Sequence, residues 1–222
     1  HLFSLSRALP AADRSVRDGK WERSKFMGSE VSGKTVGVIG FGTIGRLFAE
    51  RARGLRMRVL GFDPFVNPQT FADYGVERME LDALLAVADY VTLHCPMTND
   101  TRNLLSAERM RAMKKGARII NCARGGLVDE AALLELVQGG HLAGAALDVF
   151  DKEPPGESPL FGCPNIQFTP HLGASTEEAQ TATGVEIAHQ IADYLLKGEV
   201  RNAVNLKSVP AERLAQLEPY LR

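Results

Sequence analysis

The chain is 222 residues long, with 45% hydrophobic and 24% charged side chains and a formal charge of −1. That balance suits a globular core and gives no electrostatic case for nucleic acid or a membrane surface. No apolar run approaches the length of a bilayer span. Cys95, Cys122 and Cys163 lack metal-ligand spacing and cannot all pair internally, so the expectation is a soluble, cytoplasmic protein from a reducing compartment, without a metal site.

The chain opens on His1 followed by Leu2-Phe3-Ser4-Leu5, which reads as the inside of a helix rather than a signal peptide, and so as a piece of a longer protein. Residues 1–18 pattern as helix, in two pieces around Pro10, ended by Asp18-Gly19. The polar stretch 19–33, carrying Trp21, reads as a surface connector. Then a short apolar strand, Thr35 to Ile39, runs into Gly40-Phe41-Gly42-Thr43-Ile44-Gly45, and Arg46 to Ala52 continues as an amphipathic helix. A second apolar strand, Arg58 to Phe62, ends on Asp63.

Further on, Leu81, Leu84, Leu85 and Ala88 mark one face of a helix, and Tyr90 to Leu93 a buried strand. Ser106 to Met113 reads as a short helix and Ala117 to Ile120 as a strand. Asp129 is placed to cap a helix from Glu130 to about Gln138, which Gly139-Gly140 stops. Gly144 to Leu147 is a strand by context only, because its small residues favour strand poorly. Glu153 to Gly162 is a loop, Ile166 to Phe168 a last strand, and Thr176 to Lys197 a long helix. Strands alternating with helices imply an α/β fold, a doubly wound parallel sheet covered on both faces.

The motif G-x-G-x-x-G between a strand and a helix, with an acid at the end of the next strand about 20 residues later, is the pattern of a dinucleotide site. Gly40 allows the sharp turn, Gly42 lets a pyrophosphate approach the backbone, and Gly45 lets the helix lie close to its strand. The helix start offers free N–H groups and partial positive charge, and Asp63 can accept from the adenosine ribose hydroxyls. Asp63 is followed by Pro64-Phe65, with no adjacent Arg or Lys to receive a 2′-phosphate, so NAD is expected rather than NADP.

Ligands in such sheets sit beyond the carboxyl ends of the strands, where Arg124, Asp148, Glu153 and His171 emerge. Together these are the equipment for a hydroxy-acid/keto-acid couple. Arg124 can grip a carboxylate through two parallel hydrogen bonds. His171 can exchange the hydroxyl proton, since imidazole ordinarily titrates near neutral pH. Glu153 beside it would orient the ring, and a carboxylate neighbour favours a charged imidazole. Each also has an ordinary reading: Arg124 as a turn residue, Glu153 as a loop acid, and Asp148 as a cap of a turn rather than a cofactor contact. His94 either lines the adenine side or simply packs, while His1, His141 and His189 read as structural. Cys95 and Cys122 read as presenting backbone rather than thiol chemistry.

The segments Val38 to Gly45, Asn121 to Glu130, Ala146 to Phe150 with Glu153-Pro154, and Pro170 to Thr176 together resemble the D-2-hydroxyacid dehydrogenase family, over essentially the whole chain. The resemblance implies a Rossmann-type NAD-binding domain and Arg124, Glu153 and His171 as the catalytic group. It implies Thr43 and Ile44 at the pyrophosphate, Asp63 at the ribose, Cys95 and Pro96 near the adenine, and Cys122, Ala123 and Asp148 toward the nicotinamide. Gly173 and Ala174, with Arg124 and His171, complete the cofactor contacts it suggests. It further implies a preceding lobe of about 100 residues, largely missing here, that completes the substrate site, and a homodimer or higher homo-oligomer. On this reading the dinucleotide-binding domain covers residues 1–172, a helix and return segment 173–206, and the start of a following segment 207–222. Residues 19–28 and the Gly-Ala-Ser-Thr after His171 resemble the branch acting on a phosphorylated hydroxy acid. Hydroxypyruvate or glyoxylate reductases of the same family, and NAD-sensing corepressors of the same fold, are the alternatives.

Overall fold

The computed structural model of the protein describes residues 1–205. Its strands are β1 (Thr35–Ile39), β2 (Arg58–Phe62), β3 (Glu77–Arg78), β4 (Tyr90–Leu93), β5 (Arg118–Asn121), β6 (Gly144–Leu147) and β7 (Ile166–Phe168). Its helices are α1 (Leu2–Arg7), α2 (Leu9–Arg17), α3 (Thr43–Gly54), α4 (Pro68–Asp73), α5 (Leu81–Val87), α6 (Ala107–Ala112), α7 (Glu130–Gln138) and α8 (Glu177–Lys197). Residues His1–Gly173 form one compact unit and a second begins at Ala174.

All seven strands are parallel, in the order β3-β2-β1-β4-β5-β6-β7. The expected doubly wound sheet is therefore present. The chain first builds outward from β1 to β3, then crosses to β4 on the other side of β1. Ligand crevices open at that reversal, beyond the carboxyl ends of β1 and β4.

Every residue of β4 and β6 is buried, as expected of strands covered on both faces. On one face Leu84, Leu85, Met110, Leu133 and Leu136 pack with Val91, Ile119 and Ala145. On the other, Leu2, Leu5, Ala49, Ala52 and Phe71 pack with Val36, Val38, Val59 and Tyr90. The weak propensity of β6 is overridden by its place between two strands; a side chain at Gly144 would strike the Asn165 carbonyl.

Helices start where the sequence supplies caps. Asp129 accepts from the Ala132 amide and Ser106 from the Arg109 amide. The break between α1 and α2 falls at Ala8, in the left-handed region, with Pro10 in the first turn of α2. The stretch 64–80 contains α4 and the short edge strand β3, and the loop 153–162 closes with a 3-10 turn over Pro159–Gly162. Asn67 caps α4 and Pro68 begins it, a start signal outweighed by the segment's lack of a long apolar period.

In the second unit, Thr176 caps α8 and Gly198 ends it in the left-handed conformation. No residue of this helix is buried, and Val185, Ile187, Ile191, Tyr194 and Leu195 are exposed. The segment expected over 207–222 lies outside the described residues. Among the described residues no helix is long and apolar enough to cross a membrane.

At the amino edge of the sheet, Asp89 ties three strands together. Its carboxylate accepts from the Thr35 amide at 2.8 Å and from Lys114 Nζ at 2.7 Å, and its carbonyl accepts from the Arg118 amide. Burial pushes this carboxyl up, but the Lys114 and Thr35 hydrogen bonds outweigh it and hold the group below the usual carboxylate value. A lowered folded-state pKa stabilises the fold above the ordinary carboxylate range, and that contribution is lost as pH falls through the lowered value. Asp89→Asn should lower the unfolding free energy at pH 7 by about 1–3 kcal/mol. In urea unfolding, the gap to the parent chain should close as the pH is taken down through that window; a gap of constant size would contradict the assignment.

Candidate active site at the carboxyl edge of the sheet

The glycine loop leaves β1 at Gly40, whose φ of 90° belongs to glycine. A side chain there would lie 2.6 Å from the backbone after β4, at His94 and Cys95. At Gly45 it would collide with the Gly40 carbonyl, so the close approach of α3 to β1 requires the third glycine. Gly42 differs, because a Cβ on it would meet nothing within 4 Å. No side chain caps α3, so its first N–H groups, beside exposed Thr43 and Ile44, face open space. This is a cradle that an anionic pyrophosphate fits.

Beside the loop is a cavity of about 610 Å³ whose lining includes Gly40, Asp63, Pro64, Phe65, Cys95 and Pro96, with Leu81, Asp82, Thr101, Leu104 and Arg109. Asp63 accepts from the Phe41 amide at 2.8 Å and the Phe65 amide at 2.9 Å. These bonds lock the acid to the glycine loop and leave lone pairs free on both oxygens. The cavity size and the acid at its edge fit an adenosine moiety.

Across the reversal point, Asn121 at the end of β5 is 2% exposed. Its side chain accepts from the Ala123 amide and donates to the Arg124 carbonyl, shaping the turn that carries exposed Arg124. A side chain at Gly125 would strike the Phe150 carbonyl, so this turn lies directly on the loop after β6. Phe150 in turn donates its amide to Glu153 at 3.1 Å. Arg124 and Glu153, far apart in sequence, are thus carried by loops in backbone contact.

Asp148, after β6, is 2% exposed. One oxygen accepts from the Thr169 hydroxyl and the Leu172 amide, and the other from the Gly173 amide at 2.9 Å. The turn-capping reading of Asp148 therefore describes what it does in this structure. Inside that turn His171 has a φ of 56°, and its Nδ1 lies 2.7 Å from Glu153 Oε2. The His171 and Phe150 hydrogen bonds hold the Glu153 carboxyl below its ordinary pKa. A carboxylate can only accept, so Nδ1 of His171 carries the proton and Nε2 is left for proton exchange.

His94 packs: its ring lies 5.5 Å from that of Phe48, and burial pushes its pKa down to about 4. Burial raises the Cys95 thiol to about 11; burial, then the Asp148 charge, does the same to Cys122. Neither is a thiolate near neutral pH, in keeping with residues that present backbone rather than thiol chemistry. Gly173 closes the His171 turn, while Ala174 belongs to the second unit. Asn121 and Thr169 are the functional-edge residues that sequence reasoning did not single out; a polar side chain at a strand's carboxyl end was the available signal.

Residues 1–173 match the family model for the D-isomer-specific 2-hydroxyacid dehydrogenase NAD-binding domain. The chain belongs to the D-2-hydroxyacid dehydrogenase family. It is 46% identical over 221 residues to the D-3-phosphoglycerate dehydrogenase of Synechocystis sp., an alignment that takes in 100% of this chain and 40% of that protein. Among solved structures, the pyruvate reductase of Chlamydomonas reinhardtii is 35% identical with a TM-score of 0.83, covering 90% of this chain and 65% of that one. A glyoxylate reductase from Paecilomyes thermophila is 31% identical with a TM-score of 0.85, covering 92% of this chain and 62% of its own. The chain thus spans about two fifths of the curated relative's length, and the dehydrogenase family's NAD-binding domain accounts for residues 1–173.

The two glycines that differ in surroundings should separate stability from binding. Gly45→Ala should destabilise the domain by about 1–3 kcal/mol through overpacking. Gly42→Ala should leave stability within about 0.5 kcal/mol, yet weaken NADH binding at least tenfold by about 1.4 kcal/mol or more, because the methyl enters the pyrophosphate path. Thermal unfolding with NADH fluorescence titration checks both; normal affinity in a folded Gly42→Ala domain would remove the loop from the cofactor site.

Proposed function

We propose that the full-length protein oxidises D-3-phosphoglycerate to 3-phosphohydroxypyruvate with NAD, the entry to serine synthesis. The observation carrying the reaction class is the 2.7 Å His171–Glu153 pair, on the same sheet edge as the open α3 start. The likeness to D-3-phosphoglycerate dehydrogenases supports the substrate.

In this reading the Thr43, Ile44 and Gly45 amides hold the pyrophosphate. Asp63 takes the ribose hydroxyls, and Cys95 and Pro96 flank the adenine. Cys122, Ala123 and Asp148 lie toward the nicotinamide, which when bound supplies the hydride acceptor. Arg124 grips the substrate carboxylate in bidentate fashion and so fixes C2. His171 takes the C2 hydroxyl proton on Nε2, while Glu153 accepts from Nδ1–H and stabilises the imidazolium that forms. A homodimer in the cytoplasm completes the reading. The resemblance to glyoxylate and pyruvate reductases supports a second substrate assignment with the same residues in the same roles.

Rates of NADH oxidation by the full-length protein with phosphohydroxypyruvate, hydroxypyruvate, glyoxylate and pyruvate test the substrate. Preference for phosphohydroxypyruvate in kcat/KM is expected, and preference for an unphosphorylated acid would move the protein to the reductases. NADH binding without turnover of any acid would favour an NAD-sensing protein. His171→Ala should lower turnover about 10²- to 10⁴-fold while NADH still binds; undiminished turnover would remove His171 from the chemistry.

A further inference from the structure

A line of polar contacts runs from α1 to the turn that presents His171. Ser6 shares a buried hydrogen bond with the Tyr90 hydroxyl at 2.8 Å, and Ser4 pairs with Gln167 through both side chain and carbonyl. At the start of α1, His1 Nε2 lies 3.0 Å from Thr169 Oγ1. Thr169 is also bonded to Asp148, whose carboxylate fixes the Leu172 and Gly173 amides on the far side of His171.

Proton counting settles the direction of this chain. An ionised Asp148 accepts only, so the Thr169 hydroxyl spends its single proton on it. Thr169 Oγ1 must then accept from His1, which requires the Nε2–H form of that ring. We propose that His1 is a positioning residue for proton transfer: through Thr169 it orients the Asp148 carboxylate that shapes the His171 turn. A hydroxyl that accepts from an imidazole N–H is also a better donor to the carboxylate beyond it. The proposal rests on the dehydrogenase reading of His171, and it couples α1 to the proton-transfer end of the site without a contact to substrate or cofactor.

The test uses the full-length protein and two readouts. In steady-state kinetics, His1→Leu and Thr169→Val should each lower kcat roughly 10- to 100-fold through misplacement of the imidazole, with the KM for NADH within about twofold. His1→Gln, which keeps a donor, should recover most of the loss, and the double variant should be no worse than Thr169→Val. Unchanged kcat in His1→Leu, or His1→Gln no better than His1→Leu at equal melting temperature, overturns the proposal. The second readout is 15N NMR of the histidine rings in the cofactor-free, unsubstituted protein, which survives any failure of a variant to fold. A protonated His1 Nε2 is expected, and a bare Nε2 overturns the relay. If the unsubstituted protein turns over no 2-oxo acid, the dehydrogenase reading fails by itself. The His171 ring resonances then decide the positioning role: a change in His1→Leu upholds it and no change overturns it.

Discussion

Every strand of this sheet runs the same way, and the chemistry depends on that constraint. A parallel strand pair needs a crossover on one face, so each strand delivers its carboxyl end to the same edge. The glycine loop, Asp63, Arg124, Asp148 and His171 come from five different strand ends and meet there because the topology leaves them no other place. The reversal between β1 and β4 then opens the crevice at the one point where neighbouring loops depart in opposite directions.

The edge is organised mainly by side chains bonding to backbone. Asn121 folds the Arg124 turn, Asp63 pins the glycine loop, and Asp148 gathers two amides and a hydroxyl around His171. A buried carboxylate with three donors is well satisfied, whereas one deprived of them would carry a large desolvation penalty. The resulting loops are rigid where a reacting group must be aimed. Open places along this edge include the α3 start, the cavity beside Asp63 and a pocket of about 560 Å³ lined by Glu153 and His171.

Much of this could be read from the sequence because the features are local. A strand, three glycines at fixed spacing and a following helix form within a few residues, and Asp129 marks the start of α7 by its own hydrogen bond. The Pro68 helix and β3 have apolar periods too short to register in the sequence, although Asn67-Pro68 is a start signal. The site was legible in its residue types and less so in its connections. Asp148 is bonded to residues 169–173, and Asn121 serves Arg124 through backbone atoms. No periodicity encodes such pairings; they exist only once β6 and β7 lie side by side.

The left-handed backbone at His171 bears on how this domain can be improved. A β-carbon in that region costs roughly 1 kcal/mol or more relative to glycine, so the native sequence forgoes stability at this one turn. Laboratory selection that rewarded heat resistance alone would be drawn to replace His171 by glycine or asparagine, and under the proposed function its most robust winners would be inert. Stabilising substitutions belong instead at the amino edge, around Asp89, and on the exposed faces of the helices, where backbone comfort and chemistry do not compete.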